Sequence, residues 1–135
     1  MSEDVELVRR VIDAWNRRDL ETLVRLVHAD VVYVNPPTAV EPGTRRGTDE
    51  VAGVARDQWD GLLEGRLETD WIEERDGRVL VRGRMSQRIS GSDARIEAPS
   101  VVAYTVRDGR LARVDVLAVG AAEVEEALRE RGLSA

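Results

Sequence analysis

Residues 66–119 read RLETDWIEERDGRVLVRGRMSQRISGSDARIEAPSVVAYTVRDGRLARVDVLAV. Asp76-Gly77 and Asp108-Gly109 each stand between alternating apolar–polar segments. An Asp-Gly pair in that setting predicts a two-residue type I′ hairpin, because that turn needs positive φ at both central positions. Ser90-Gly91-Ser92-Asp93 predicts a third turn. Four antiparallel strands follow in order: Arg66–Arg75, Arg78–Ile89, Ala94–Arg107 and Arg110–Val119. Val79 to Ile89 alone would extend roughly 35 Å at about 3.3 Å per residue. A sheet of such strands must twist and curl, so one face becomes concave. Pro99 lies inside the third of these strands, which predicts an edge position or a bulge there.

Upstream the period changes from two to 3.6. Ser2 is a capping residue before Val5, Val8, Ile12 and Trp15, which form one helical stripe ending near Asn16-Arg17-Arg18. Asp19 is placed to cap a short second helix carrying Leu20, Leu23, Val24 and Val27. Val31–Asn35 alternates as a strand, with Val31, Tyr33 and Asn35 on one face, and Pro36-Pro37 ends it. Thr38 to Gly47 reads as a connecting loop. Thr48 opens a third helix with the stripe Val51, Val54, Ala55, Trp59 and Leu62, Gln58 beside it, and Gly65 as terminator. Ala122–Arg131 closes the chain as a helix. The order predicts one α+β domain over residues 1–135. Its form is a cone-shaped roll, with N-terminal helices packed on a long, curved, mainly antiparallel sheet that encloses a pocket.

Composition narrows the chemistry. The chain has 135 residues and a net charge of -6, and no basic face is evident for nucleic acid. It holds no cysteine and no lysine, which excludes thiol and Schiff-base catalysis. His28 is the single histidine, so no zinc-type ligand set can be assembled within one chain, and no metal or other cofactor is expected. No apolar run is long enough to span a bilayer and the first residues are acidic, so a cytoplasmic protein with no membrane partner is expected. Valines and leucines on both faces of several strands predict a homodimer through the sheet.

Several local patterns carry a family resemblance. They are Trp15-Asn16-Arg17-Arg18-Asp19-Leu20-Glu21, His28-Ala29-Asp30-Val31, Gly47-Thr48-Asp49-Glu50-Val51, Thr105–Leu111 and Glu126-Ala127-Leu128. In this order and spacing they resemble the SnoaL-like branch of the nuclear transport factor 2-like superfamily. The resemblance implies a curved sheet and helices around a cone-shaped cavity, often in a dimer. It implies no single activity, since isomerases, cyclases, epoxide hydrolases and non-catalytic binders share the fold.

Three enzyme types of this superfamily can be set against the chain residue by residue. Ketosteroid isomerases have a base carboxylate on the first strand before a proline, where this chain has Asn35-Pro36. Their second acid falls at Val102 and their tyrosine near Val11. An amide cannot abstract a proton at neutral pH. In SnoaL-like cyclases a histidine or acid stands where Val102 does here; parity points Asp115 away, and His28 reads as a surface residue. Enzymes resembling limonene epoxide hydrolase hold water with a Tyr-x-Asn pair, and Tyr33-Val34-Asn35 matches it. The carboxylates of that site find no counterpart at Gly83, Met85 or Val116, nor at Arg84 or Ser86 if the register slips by one.

The expected site is therefore a largely apolar pocket for a small apolar molecule. Tyr33 and Asn35 are its candidate catalytic pair. Trp15, Trp59, Met85, Gln87, Val102, Tyr104 and Val116 are the candidate ligand-binding residues, with Val31 and Ala118 also facing inward. Any hydrolase-, cyclase- or isomerase-type chemistry would lack the usual carboxylate base. The alternative is a non-catalytic binding or dimerisation module.

Overall fold

A computed structural model describes residues 2–37, 42–60, 62–89 and 93–133, without the side chains of 62–64, 87 and 89. Helices α1 (Glu3–Asn16) and α2 (Leu20–Leu26) come first, then strands β1 (Val27–Asn35) and β2 (Gly43–Arg46) and helix α3 (Gly47–Asp60). The meander follows as β3 (Leu62–Arg75), β4 (Arg78–Ile89), β5 (Arg95–Arg107) and β6 (Arg110–Val119), closed by α4 (Ala121–Glu130). One mixed sheet runs β2-β1-β6-β5-β4-β3. Only β1 against β6 is parallel; the other neighbours are antiparallel.

The Asp-Gly turns form as expected. Asp76 and Gly77 have φ of 53° and 76°, Asp108 and Gly109 φ of 56° and 73°. The turn at 90–92 lies outside the described residues. Ser2 and Asp19 cap α1 and α2 by accepting from the N–H groups of Val5 and Thr22.

Three boundaries move. β1 begins at Val27, four residues before the alternating run, because Val27 is already paired with Leu111. β2, expected as loop, pairs Arg45 with Tyr33 and Gly43 with Asn35. α3 stops at Asp60 rather than at Gly65, because residues from Leu62 on pair with β4.

Pro99 is in an interior strand, yet it meets no ladder conflict. Its carbonyl accepts from Gly120 N–H, beyond the last β5–β6 pair at Ser100 and Val119. Its missing N–H points to that same side, where β6 has ended.

The sheet separates two cores. On its concave face α1, α2 and α3 bury Val8, Ile12, Ala55 and Trp59 against Val31, Val79, Val81, Tyr104 and Val114. On its convex face α4 buries Val124 and Leu128 against Leu80, Val101, Ala103 and Ala118. Leu128 is fully buried, and burying such a side chain contributes about 1.5–3 kcal/mol. α4 thus covers the apolar strip that the sequence left for a partner. Beside this strip the face carries an ion-pair cluster: Asp70 bonds both Arg82 and Arg84, and Arg84 also reaches Glu68. Among the described residues, no helix is long and apolar enough to cross a membrane.

Two irregularities in β6 exchange its faces. Val101 pairs with Ala118 but Val102 with Val116, leaving Leu117 as an extra residue; Ala112 is the extra residue between Arg113 and Leu111. Strict alternation puts Val116 and Ala118 on one face. The bulge at Leu117 instead sends Ala118 into the convex core under α4, correcting its expected inward position.

Candidate functional site

Cross-strand register builds the centre of the concave face. Tyr33 on β1 is level with Val114 on β6, which is level with Tyr104 on β5 and through it with Val79 on β4. The next row runs Val116, Val102, Val81, Ile72. Tyr33 and Tyr104 thus flank Val114 on the helix-covered side. Tyr33 is partly buried, with the Gln58 side chain of α3 close enough to its hydroxyl to influence its pKa. Burial raises its pKa above 10, against the smaller opposing effects of Gln58 and Arg45. Tyr104 is buried, and its pKa is pushed far up, first by desolvation and then by the nearby Tyr33. Both phenols are therefore neutral hydrogen-bond donors at physiological pH.

α1 and α3 close this face with two indoles. The Trp15 and Trp59 rings lie 5.3 Å apart at 56°, a tilted aromatic pair. Trp59 is buried, and its Nε1–H has no hydrogen-bond partner among the described residues. A buried, unpartnered donor is costly, so it marks a position where an acceptor is wanted.

The other candidates are placed as follows. Val102 packs against the concave core, and Val116 is its cross-strand neighbour. Asn35 is partly buried at the end of β1, level with Gly43. Met85 is partly buried and level with Leu67 and Ala98, further along the sheet than the tyrosine row. The Gln87 side chain lies outside the described residues. His28 accepts from Asp30 N–H through Nδ1 and lies 3.3 Å from the Arg107 guanidinium, away from the tyrosines. Asp115 is held by Arg113 at 2.8 Å and Arg78 at 3.8 Å. Of the described residues, the buried polar ones are Ser86 and Ser100; no carboxylate is buried. No group of three acids or histidines among them could hold a metal ion.

Two residues have a role that sequence reasoning does not give them. The sequence places Gln58 beside the stripe of α3 without joining it to Tyr33. It shows Asn16 only as the end of a helix. Asn16 Nδ2 donates to the Leu67 carbonyl at 2.9 Å and its Oδ1 accepts from Leu67 N–H at 2.8 Å. One amide thus does for β3 what a neighbouring strand would do, and fixes the end of α1 to the outer edge of the sheet.

Five surface clefts of about 330 to 480 Å³ are present, and none of the five is lined by Tyr33, Trp59 or Tyr104. The tyrosines and the indole pair belong to one hydrophobic cluster.

The fold and the sequence both have relatives. The structure superposes on a SnoaL-like protein of Shewanella putrefaciens CN-32, a candidate polyketide cyclase. The TM-score is 0.78 at 14% identity, covering 96% of this chain and 98% of that one. It also superposes on a nuclear transport factor 2-like protein of unknown function from Burkholderia pseudomallei K96243, with TM-score 0.77 and 24% identity over 96% and 97%. An epoxide hydrolase of Mycobacterium tuberculosis, like limonene epoxide hydrolase, gives 0.70 and 20% over 84% and 80%. Such identities show the shared fold alone. An uncharacterized protein of Mycobacterium tuberculosis is 31% identical over 114 residues, 82% of this chain and 85% of its own length. The model of the SnoaL-like domain matches residues 8–114. The chain belongs to the SnoaL-like domain family.

Proposed function

We propose that the domain binds a small, neutral, largely apolar molecule on the concave face, held by hydrogen bonds from Tyr33 and Tyr104 and roofed by Trp15 and Trp59. The observation that carries this reading is the pair of neutral phenols on one row of an otherwise apolar face. Apolar walls with a few placed donors are the usual make-up of a small-molecule site. The unpartnered Trp59 Nε1–H supplies a further donor nearby in the same core. With every described carboxylate outside the core, the site can orient a ligand oxygen and polarise a carbonyl, but it has no residue to abstract a proton. Binding is accordingly preferred to proton-transfer catalysis. Asn35 and Val116 line the same face in this reading, and Met85 and Gln87 extend it along the sheet. Entry requires the two indoles to separate.

The test uses that pair as its reporter. A neutral aromatic ketone such as 2-acetonaphthone is titrated into the protein while tryptophan emission is followed. Saturable quenching is expected, and Tyr33→Phe and Tyr104→Phe should each weaken it by about tenfold, the value of one buried hydrogen bond. Absence of saturation, or an affinity indifferent to both substitutions, rejects the reading.

The second reading is an assembly module. Self-association through the sheet would meet across Glu68, Asp70, Arg82 and Arg84, a salt-bridged surface instead of the apolar one expected. Sedimentation at micromolar concentration decides it, since a lone 15.0 kDa species rules the dimer out.

A further inference from the structure

We propose that Arg18 is a latch between α1 and α3, and that its release lets the indole pair part and opens the way to the tyrosine row. The inference rests on the binding reading above and adds what controls access to that site.

α1 ends in a Schellman motif. Arg18 N–H donates to the Trp15 carbonyl at 3.0 Å, and Asp19 N–H to the Ala14 carbonyl at 2.9 Å. Arg18 is the residue that turns left-handed, with φ of 54°. Glycine is usual at that position because it has no Cβ to strain, so an arginine is held there at a cost. Its side chain does what glycine could not. The guanidinium donates to the Trp59 carbonyl at 3.2 Å. Trp59 is next to last in α3, where carbonyls have no partner within the helix. One residue thus holds the backbone of both tryptophans, Trp15 through its N–H and Trp59 through its side chain. The rings of the same two residues meet at 5.3 Å. Among the strands, α1 packs mainly on β3 and α3 on β1, with β6, β5 and β4 between them. The two helices therefore stand towards opposite ends of the sheet, and Trp15, Arg18 and Trp59 join them.

The competing role for Arg18 is a plain cap on the last turn of α3. Hydrogen exchange followed by NMR separates the two. Trp59 Nε1–H is buried with no partner among the described residues, so burial alone shields it and its exchange reports parting of the indoles. Arg18→Gly removes the guanidinium and relieves the left-handed strain. Arg18 is exposed, so the variant should fold. The indole proton should then exchange about tenfold faster, the effect of losing one hydrogen bond from a charged group. The backbone amides in the last turn of α3 should keep their parent rates, and the melting temperature should stay near the parent's. Arg18→Lys should recover part of the protection, because it restores a donor. Arg17→Gln, whose partners are Asp13 and Asp19, should leave the indole rate unchanged. An Arg18→Gly indole rate equal to the parent's overturns the latch. So does faster exchange of the α3 amides with a lower melting temperature, which is the signature of a lost cap. 2-Acetonaphthone connects the latch to the site. Its association and dissociation should both quicken in Arg18→Gly at nearly constant affinity, and unchanged rates overturn the entrance. If the ketone does not bind the parent, the binding reading falls, while the indole exchange still decides the latch.

Discussion

Replacing Asn16 by alanine removes both hydrogen bonds to Leu67, at 2.9 and 2.8 Å, and unfastens α1 from β3. Each such bond contributes about 0.5–1.5 kcal/mol net, and the two backbone groups left behind are only partly reachable by water. The sum is about 2–3 kcal/mol. For a domain of 135 residues, unfolding entropy near 2.1 cal/mol/K per residue converts this to about 7–11 °C in melting temperature. Calorimetry and urea titration both read it. Asn16→Asp gives a sharper version. A carboxylate still accepts from Leu67 N–H but repels the Leu67 carbonyl; the protonated acid restores both bonds. Its folded pKa should therefore rise above the unfolded value of about 3.9. The sign follows: stability relative to alanine is full below the unfolded pKa and is lost as pH rises through the folded one. An Asn16→Ala variant melting within about 2 °C of the parent would show that the edge contact contributes nothing, and the account of how α1 is anchored would be wrong.

Other outcomes follow from single features. Gly83→Ala should destabilise by about 2 kcal/mol or more on thermal unfolding, because its new Cβ would stand 2.3 Å from the Glu68 carbonyl oxygen and β3 must shift. Tyr104→Phe should flatten the alkaline limb of the stability curve. The parent's raised Tyr104 pKa gives stability that is full below about pH 10 and is lost as pH rises past it, which urea midpoints from about pH 8 to 11 can follow. Asp19→Asn should likewise flatten the acid limb. The Thr22 hydroxyl and N–H hold the Asp19 carboxyl below its usual range, so its contribution is full above the ordinary carboxylate pKa and fades as pH falls.

The fold was legible because its turns are local chemistry. Asp76-Gly77 and Asp108-Gly109 set the hairpins, and the period of Val5, Val8 and Ile12 set a helix, with no reference to distant residues. Tyr33 was readable as an inward position because β1 pairs without interruption from Val32 to Asn35. Ala118 was not, since a bulge inserts one residue and nothing in Val116-Leu117-Ala118 announces it. β2 was hidden because Gly43–Arg46 has no apolar alternation and becomes a strand only by pairing with β1. The Asn16–Leu67 and Gln58–Tyr33 partnerships were invisible for a simpler reason: each joins segments whose approach depends on the finished tertiary structure.

The parallel pairing of β1 with β6 has a consequence in time. Tyr33 and Val114 are level in the sheet although roughly eighty residues separate them in the chain. The hairpins of the meander close over short loops and can form early, whereas β1 must wait for the last strand before it has a neighbour on that side. On a ribosome the first two helices and β1 would emerge with their apolar faces uncovered until β6 is made. Refolding should show a fast phase carrying the meander and a slower one in which the tyrosine row assembles. Shortening the chain before residue 110 should abolish the slow phase along with the concave core.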